Sequence, residues 1–304
     1  MIDPRPAPPA LLLIGHGSRA EEGAEQFRAQ VELSARAMAR TGYAGAPIGS
    51  GFLEFAEPHI DQGIDALVAT GTHHVVAVPL VLLAAGHLKN DGPALLDRAR
   101  RRHPGHTFTY ARDLGIHPIP MEMATEMARS ALPGRDAGPL ETRSDIGEDG
   151  AAIVLVGRGS TDPDANSDLY KIARLLSDRR GLPLVEPAFV SLAPPSIPDA
   201  LGRLQRLGAT RIAVVPYFLF SGVLSDRIAA QAADWAANHP HITVACAGAM
   251  GPDPRLASLI VDRYAEAISG PVAMNCDCCI YRAPMPGYEE RHTMGHSEHH
   301  DHHD

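Results

Sequence analysis

Two stretches of this 304-residue chain nearly repeat each other: LIGHGS at residues 13–18 and LVGRGS at residues 155–160. A second pair follows, VAVP at residues 76–79 and AVVP at residues 213–216. Counted from the first glycine of each motif to the proline, the interval is 64 positions in the first half and 59 in the second. Matching landmarks at nearly matching intervals indicate that one structural unit occurs twice.

The first of these units alternates apolar runs with amphipathic stretches. Candidate strands are Ala10 to Gly15, Ile48 to Leu53, His74 to Leu80 and Thr107 to Tyr110, with helices expected at about 21–41, 57–70, 92–102 and 118–131. Continuous apolar runs are typical of parallel strands that are covered on both faces. The sequence therefore predicts an α/β fold with two duplicated open parallel-sheet domains that face a central cleft.

The expected division of the chain has four parts. An α/β domain at 1–132 carries the reactive residues, and a linker rich in Gly, Pro and charge occupies 133–150. A second α/β repeat covers 151–270. The last part, 271–304, has too few apolar residues to pack and forms a Cys/His-rich tail.

Composition excludes several classes of protein. A net charge of -9 without a cluster of Lys and Arg argues against a nucleic-acid partner. The longest apolar stretch, residues 75–85, is far shorter than the ~18 residues of a membrane span. The N-terminus lacks the basic segment of a signal peptide, and four cysteines cannot form a disulfide framework, so we expect a cytoplasmic protein without a membrane partner.

Three residues of the first half are expected at the carboxyl edge of its sheet. His16 follows the first strand, Glu54 ends the second, and His87 follows the third. Two imidazoles and a carboxylate at one edge suit a divalent metal ion, because neutral imidazole binds cobalt, nickel, iron and zinc. The alternatives are an exposed turn histidine for His16 and a helix-start carboxylate for Glu54.

The second half lacks this chemistry. Arg158 stands where the first half has His16, and Ser191 aligns with Glu54. An arginine at this edge suits carboxylates or phosphates, or forms a surface salt bridge. Cys246, in a predicted strand of this half, is expected to be a small buried residue.

These motifs resemble those of the CbiX-type sirohydrochlorin cobaltochelatases, a family of class II tetrapyrrole chelatases. The segments concerned are GHGSR at 15–19, FLE at 52–54 and GHLKND at 86–91. The duplicated architecture over 10–268 and the segment MNCDCCIYR at 274–282 resemble the long two-domain form of the family. Such tails often have a non-cysteine residue at the position of Cys278.

The resemblance implies insertion of a divalent metal, Co²⁺ foremost, into sirohydrochlorin or precorrin-2. His16 and His87 would serve as metal ligand and base, in an order that the sequence leaves open, with Glu54 as second ligand or proton acceptor. Sirohydrochlorin carries eight carboxylates, which a chain of charge -9 repels unless the cleft is locally basic. Arg19, Lys89 and Arg158 are the candidate substrate-binding cations.

The tail adds two further groups of metal ligands. The resemblance implies an iron–sulfur cluster at Cys276 and Cys279, completed by Cys278, another ligand or a second subunit. In the last of these cases the chain would form a homodimer through its cysteine tail. Zinc bound by these thiolates together with tail histidines, or a cysteine tail without metal, are the alternatives. The second group, a reservoir for Zn²⁺, Ni²⁺ or another divalent ion, comprises His296, His299, His300, His302 and His303.

Other functions remain open at this point. The metal could be iron or nickel, which makes the chain a ferrochelatase or nickel chelatase. A histidine phosphatase also places a histidine after its first strand, but in an Arg-His-Gly context, whereas Gly15 precedes His16 here. A metal storage or delivery protein would act through its His-rich tail.

Overall fold

The computed structural model describes residues 7–132, 146, 150–180 and 182–270. In the first half the elements are β1 (Ala10–Gly15), α1 (Glu21–Met38), β2 (Ile48–Phe52), α2 (Ile60–Ala69), β3 (His74–Pro79), α3 (Gly92–Arg102), β4 (Thr107–Tyr110) and α4 (Pro118–Ala131). In the second half they are β5 (Ala151–Gly157), α5 (Pro163–Arg180), β6 (Val185–Phe189), α6 (Ile197–Arg206), β7 (Arg211–Pro216), α7 (Val223–Ala237), β8 (Thr243–Cys246) and α8 (Pro254–Ser269). A single π-helical turn, His87–Asp91, leads into α3.

Each half forms one four-stranded parallel sheet with the same strand order. The orders are β2-β1-β3-β4 and β6-β5-β7-β8. The central strands are buried along their whole length, β1 in the first sheet and β5 in the second, as their apolar runs predict. The fold class predicted from the sequence is therefore confirmed.

The predicted helix at 57–70 begins three residues later than expected. The backbone N–H of His59 donates to Oε1 of Gln62 at 2.7 Å, so His59 occupies the cap position and α2 starts at Ile60. The first helix likewise ends at Met38 rather than at residue 41. These differences lie at element ends, where local capping decides the boundary.

The last helix of each half packs across the duplication. Helix α8 lies against α1 and β3 of the first half, and α4 lies against β7 and α5 of the second. The buried Arg263 of α8 donates from Nε to the carbonyl oxygen of Asp113 at 2.9 Å and from Nη2 to that of Leu114 at 2.7 Å. One hydrophobic cluster consequently contains residues of both halves. The division at 132 and 151 remains a prediction about sequence units that share a core.

Within the described ranges, none of the helices combines the length and the apolar character needed to cross a membrane.

Candidate functional site

One cleft of about 760 Å³ opens at the carboxyl ends of the central strands. The loops that follow β1, β3, β5 and β7 line it, so both halves contribute. The strand order reverses between β1 and β3 in the first sheet and between β5 and β7 in the second. Open parallel sheets bind ligands at such a point. The central cleft predicted from the duplication is present.

His16 lies in this cleft directly after β1. Its side chain is half-buried, and the next residue, Gly17, has a φ of 95°. A Cβ at Gly17 would lie 1.8 Å from the carbonyl oxygen of Glu54, so only glycine allows this approach. The backbone N–H of Glu54 donates to the carbonyl oxygen of His16 at 3.0 Å. This hydrogen bond links the loop that follows β1 to the loop that follows β2, next to the imidazole.

Glu54 and His87 both adjoin residues that line the same cleft. The Glu54 side chain is exposed and does not line the cleft, whereas its neighbour Phe55 does. His87 begins the π-helical turn, and the adjoining Gly86 and Leu88 are lining residues. The structure describes the backbone of His87 but not its side chain. The two backbone positions are those expected from the sequence.

A preformed metal cage is absent from the described part of the molecule. Among the residues that the structure describes, no group of three or more His, Cys, Asp or Glu is arranged to hold a metal ion. Whether His16, His87 and Glu54 act together on a metal therefore remains a proposal.

Two of the three predicted cations lie in the cleft. Arg19 and Arg158 are exposed and line it from opposite halves, and Asp91 is the one acidic residue among its described lining residues. The Cζ of Arg19 lies 4.9 Å from the centroid of the Phe55 ring, within the range of a cation–π contact. The local charge of the cleft is therefore more positive than that of the whole chain.

Lys89 is a correction to the sequence analysis. Its side chain is fully buried, and its Nζ lies 2.5 Å from Oδ2 of Asp162 and 3.1 Å from Oδ2 of Asp164. A buried ammonium needs such partners, because burial of a charge without a compensating partner carries a large desolvation penalty. Lys89 joins the two halves and is not a substrate-binding cation in this structure.

The second half repeats the backbone of the site without its reactive groups. Ser191 donates its N–H to the carbonyl oxygen of Arg158 at 3.1 Å, as Glu54 does to His16. Gly159 has a φ of 85°, and a Cβ there would lie 1.8 Å from the carbonyl oxygen of Ser191. The alignment of Arg158 with His16 is confirmed in three dimensions.

Three lining residues were not singled out from the sequence. Phe55 and Leu192 are exposed apolar side chains, and Tyr217 directly follows β7. The Tyr217 hydroxyl is buried and has no hydrogen-bond partner among the described residues. Burial, followed by the charges of Asp113 and Asp168, raises its pKa, so the phenol stays neutral and can donate. The position of Tyr217 next to the repeated AVVP motif was the available signal.

Of the four cysteines, Cys246 lies among the described residues and the other three lie in the tail. Cys246 is exposed, contrary to the expectation of burial, because it ends β8 at the edge of its sheet. The tail cysteines and histidines, from residue 271 onward, lie outside the described residues. The iron–sulfur, zinc, nickel and homodimer predictions made for them stay predictions.

Curated relatives share most of this chain. It is 39% identical over 295 residues to a sirohydrochlorin cobaltochelatase of Priestia megaterium, with 97% of this chain and 88% of the relative covered. It is 30% identical over 260 residues to a sirohydrochlorin ferrochelatase of Bacillus subtilis (strain 168), with 84% and 91% covered.

Solved structures agree with this likeness. SirB from Bacillus subtilis with Fe³⁺ superposes with a TM-score of 0.71 at 29% identity, over 86% of this chain and 96% of that one. A sirohydrochlorin chelatase SirB from Bacillus subtilis subspecies spizizenii in complex with cobalt gives a TM-score of 0.69 at 28% identity, over 87% and 97%. The family model CbiX matches residues 10–131 and 152–267. This chain belongs to the CbiX family.

Proposed function

We propose that this chain is a sirohydrochlorin chelatase that inserts a divalent metal ion, Co²⁺ foremost, in tetrapyrrole and cobalamin biosynthesis. The observation that carries the proposal is the make-up of the cleft: an imidazole from His16, apolar lining residues, and one arginine from each half. The 39% identity to a protein named sirohydrochlorin cobaltochelatase supports cobalt as the metal.

The reaction exchanges two pyrrole protons for one metal ion. The four pyrrole-type nitrogens bind the metal as the two N–H bonds break, and two protons leave to bases in the site. A neutral imidazole offers one lone pair, which takes either a metal ion or a proton. His16 and His87 divide these two tasks, and Glu54 at the cleft edge accepts a proton or contributes a second metal ligand.

Charge selects the orientation of the substrate. Sirohydrochlorin, or precorrin-2 in the alternative, carries carboxylates around an apolar macrocycle. Arg19 and Arg158 face these carboxylates from opposite halves. Association with a polyanion is thus favoured locally despite the net charge of -9.

Iron is the second candidate metal. The 30% identity to a sirohydrochlorin ferrochelatase favours it, and the ligand types expected in the site accept Fe²⁺, Co²⁺ and Ni²⁺ in order of rising affinity. The test is an absorbance assay with the full chain, sirohydrochlorin and each of the three metals. We expect the highest turnover with Co²⁺. Turnover with Fe²⁺ alone would instead assign the chain to the ferrochelatases.

Two histidine variants test the proposed roles. His16→Ala and His87→Ala are expected to abolish metal insertion while the circular dichroism spectrum stays unchanged. His241→Ala is the matched control, because His241 is exposed and does not line the cleft. Normal turnover of either cleft variant would remove that histidine from the mechanism.

A metal storage or delivery protein is the remaining alternative, and it assigns the function to the tail. Truncation after residue 270 separates the two. A chelatase retains its turnover at saturating metal without Cys276, Cys278, Cys279 and the histidines after them. A storage or delivery protein loses its metal-binding function with the tail. Metal content of the full and truncated chains reports independently on the iron–sulfur and reservoir predictions.

A further inference from the structure

Exposed apolar side chains are concentrated in the cleft. In the part of the chain that the structure describes, five large apolar side chains are exposed: Phe55, Tyr170, Leu192, Leu207 and Val223. Three of these line the cleft, namely Phe55 at 53%, Leu192 at 64% and Val223 at 53% exposure. Apolar surface gathered in a concave site indicates contact with an apolar part of a ligand.

Phe55 and Leu192 also share an unusual backbone conformation. Each has a φ of 63°, and among the described residues they are the two non-glycine residues with positive φ. A bulky L-residue in the left-handed region costs free energy that glycine would avoid. The cost is tolerated where the surrounding structure holds the residue in place, which is frequent at binding sites.

Each of the two residues lies at the centre of a turn of the same type. The N–H of Ala56 donates to the carbonyl oxygen of Glu54, and the N–H of Ala193 donates to that of Ser191, each at 2.8 Å. The two halves differ in their reactive residues at this turn, yet both present a bulky apolar side chain at the residue it encloses. The common feature is therefore the apolar contact and not the metal chemistry.

Each half thus offers an arginine together with an apolar side chain. In the first half these are Arg19 and Phe55, and in the second Arg158 and Leu192. A ligand that matches both pairs has an apolar centre and a carboxylate periphery, which is the distribution in a sirohydrochlorin-type macrocycle. A purely polar metal complex or a free divalent ion would not need the apolar pair.

We propose that Phe55 and Leu192 bind the apolar body of the macrocycle, one from each half, and thereby position it over His16. The inference rests on the proposed function, since it names two residues that bind the same substrate. Both act on substrate affinity and orientation, so they are expected to change the dissociation constant of metal-free sirohydrochlorin before any metal is added.

The first experiment measures that dissociation constant with the full chain and metal-free sirohydrochlorin, by its change in absorbance. Phe55→Ala and Leu192→Ala should each weaken binding about tenfold, and the double variant should weaken it further, because each removes apolar contact area. Leu207→Ala is the matched control: Leu207 is 61% exposed, caps α6 and does not line the cleft. It should bind as the unchanged chain does.

Glycine variants separate binding from a structural role. Glycine at 55 or 192 removes the side chain and also relieves the left-handed backbone. Phe55→Gly should therefore bind as weakly as Phe55→Ala while unfolding at a higher temperature than Phe55→Ala, and the same holds at Leu192. Binding that recovers with thermal stability would overturn the proposal, because the side chains would then serve only the fold.

Three further outcomes are distinguishable. If the unchanged chain neither binds sirohydrochlorin nor inserts metal, the proposed function fails and this inference fails with it. If it does both but the alanine variants bind like Leu207→Ala, the inference alone is wrong. Sedimentation could also show that the unchanged chain is a dimer and the double variant a monomer, while both bind sirohydrochlorin with the same dissociation constant. Phe55 and Leu192 would then form an interface between copies of the chain, and the inference would be overturned.

Discussion

Lys89 of the first half and Asp162 of the second form a buried ion pair beside the cleft. The ammonium is fully buried, the carboxylate is 4% exposed, and Asp164 provides a second oxygen 3.1 Å from Nζ. Lys89 lies in the π-helical turn that begins at His87, while Asp162 directly precedes α5. The pair therefore ties the turn that carries a proposed active-site histidine to the opposite half.

Removal of this ammonium should destabilise the fold strongly. Lys89→Met leaves the Asp162 carboxylate buried without its cation, which is expected to lower the free energy of unfolding by about 3–5 kcal/mol. Urea unfolding measures the change. A double variant with Asp162→Asn should recover part of the loss, because the uncompensated charge is then gone.

The control for this prediction is an exposed ion pair. Arg174→Gln breaks the contact between Nε of Arg174 and Oδ2 of Asp178, whose side chains are 71% and 41% exposed. Exposed pairs contribute about 0–1 kcal/mol. Equal effects of Lys89→Met and Arg174→Gln would contradict the importance assigned to burial.

A side chain at Gly17 should disrupt the turn beside His16. Alanine there would place Cβ 1.8 Å from the Glu54 carbonyl oxygen and adopt a φ of 95°, so we expect a loss of at least about 2 kcal/mol and reduced metal insertion. Gly42→Ala is the control, since no atom lies within 4 Å of a Cβ at that position. Thermal unfolding and the absorbance assay test both statements, and a Gly17 variant as stable as the Gly42 variant would contradict them.

Asp113 should make stability depend on pH. Burial, together with the nearby charge of Asp168, raises the pKa of its carboxyl to about 6, although Arg112 and Arg263 oppose the shift. The folded state therefore binds a proton that the unfolded state releases at about pH 4. Protonation of Asp113 therefore adds about 2–3 kcal/mol to the free energy of unfolding below pH 4, and this stabilisation is lost as the pH rises through 6.

The Asp113→Asn variant isolates that contribution. Its amide oxygen can still accept the 3.1 Å hydrogen bond from the N–H of Ala84, but the group no longer ionises. We expect the decline between pH 4 and pH 7 to be smaller than in the unchanged chain and the variant to be the more stable of the two at pH 7. Asp234→Asn, at an exposed position, should leave the pH profile unaltered.

Arg158 should contribute to substrate affinity through its charge. Arg158→Gln is expected to weaken sirohydrochlorin binding about fivefold to tenfold at low salt, while turnover at saturating substrate changes little. The difference should shrink as salt rises, because the guanidinium is exposed and screened. Arg174→Gln again serves as control, and a salt-independent defect would indicate a role in shape instead of charge.

The elements of the first half follow closely from local sequence. The strands β1 and β4 have the predicted bounds, and β2 and β3 are each one residue shorter. Apolar runs bounded by glycine or proline leave few alternatives for a buried parallel strand. The duplication also aligned Arg158 with His16, since matching motifs at similar spacing indicate the same fold in both halves.

Contacts between distant residues were not predictable in this way. Lys89 was expected in the cleft because its neighbours in sequence are there, and its burial depends on two aspartates more than seventy positions away. The packing of α4 and α8 against the opposite half and the left-handed turns at Phe55 and Leu192 also lack a local sequence signature.

The sequence by itself determined the strands, the duplication, the position of His16 after β1 and the family resemblance, because periodicity and turn residues act over a few positions. Only the tertiary structure decided which charges face the cleft and which are paired inside, and that the two halves share one core. The physical reason is desolvation: the environment of a side chain is set by whatever packs against it, and those partners come from the other half of the chain.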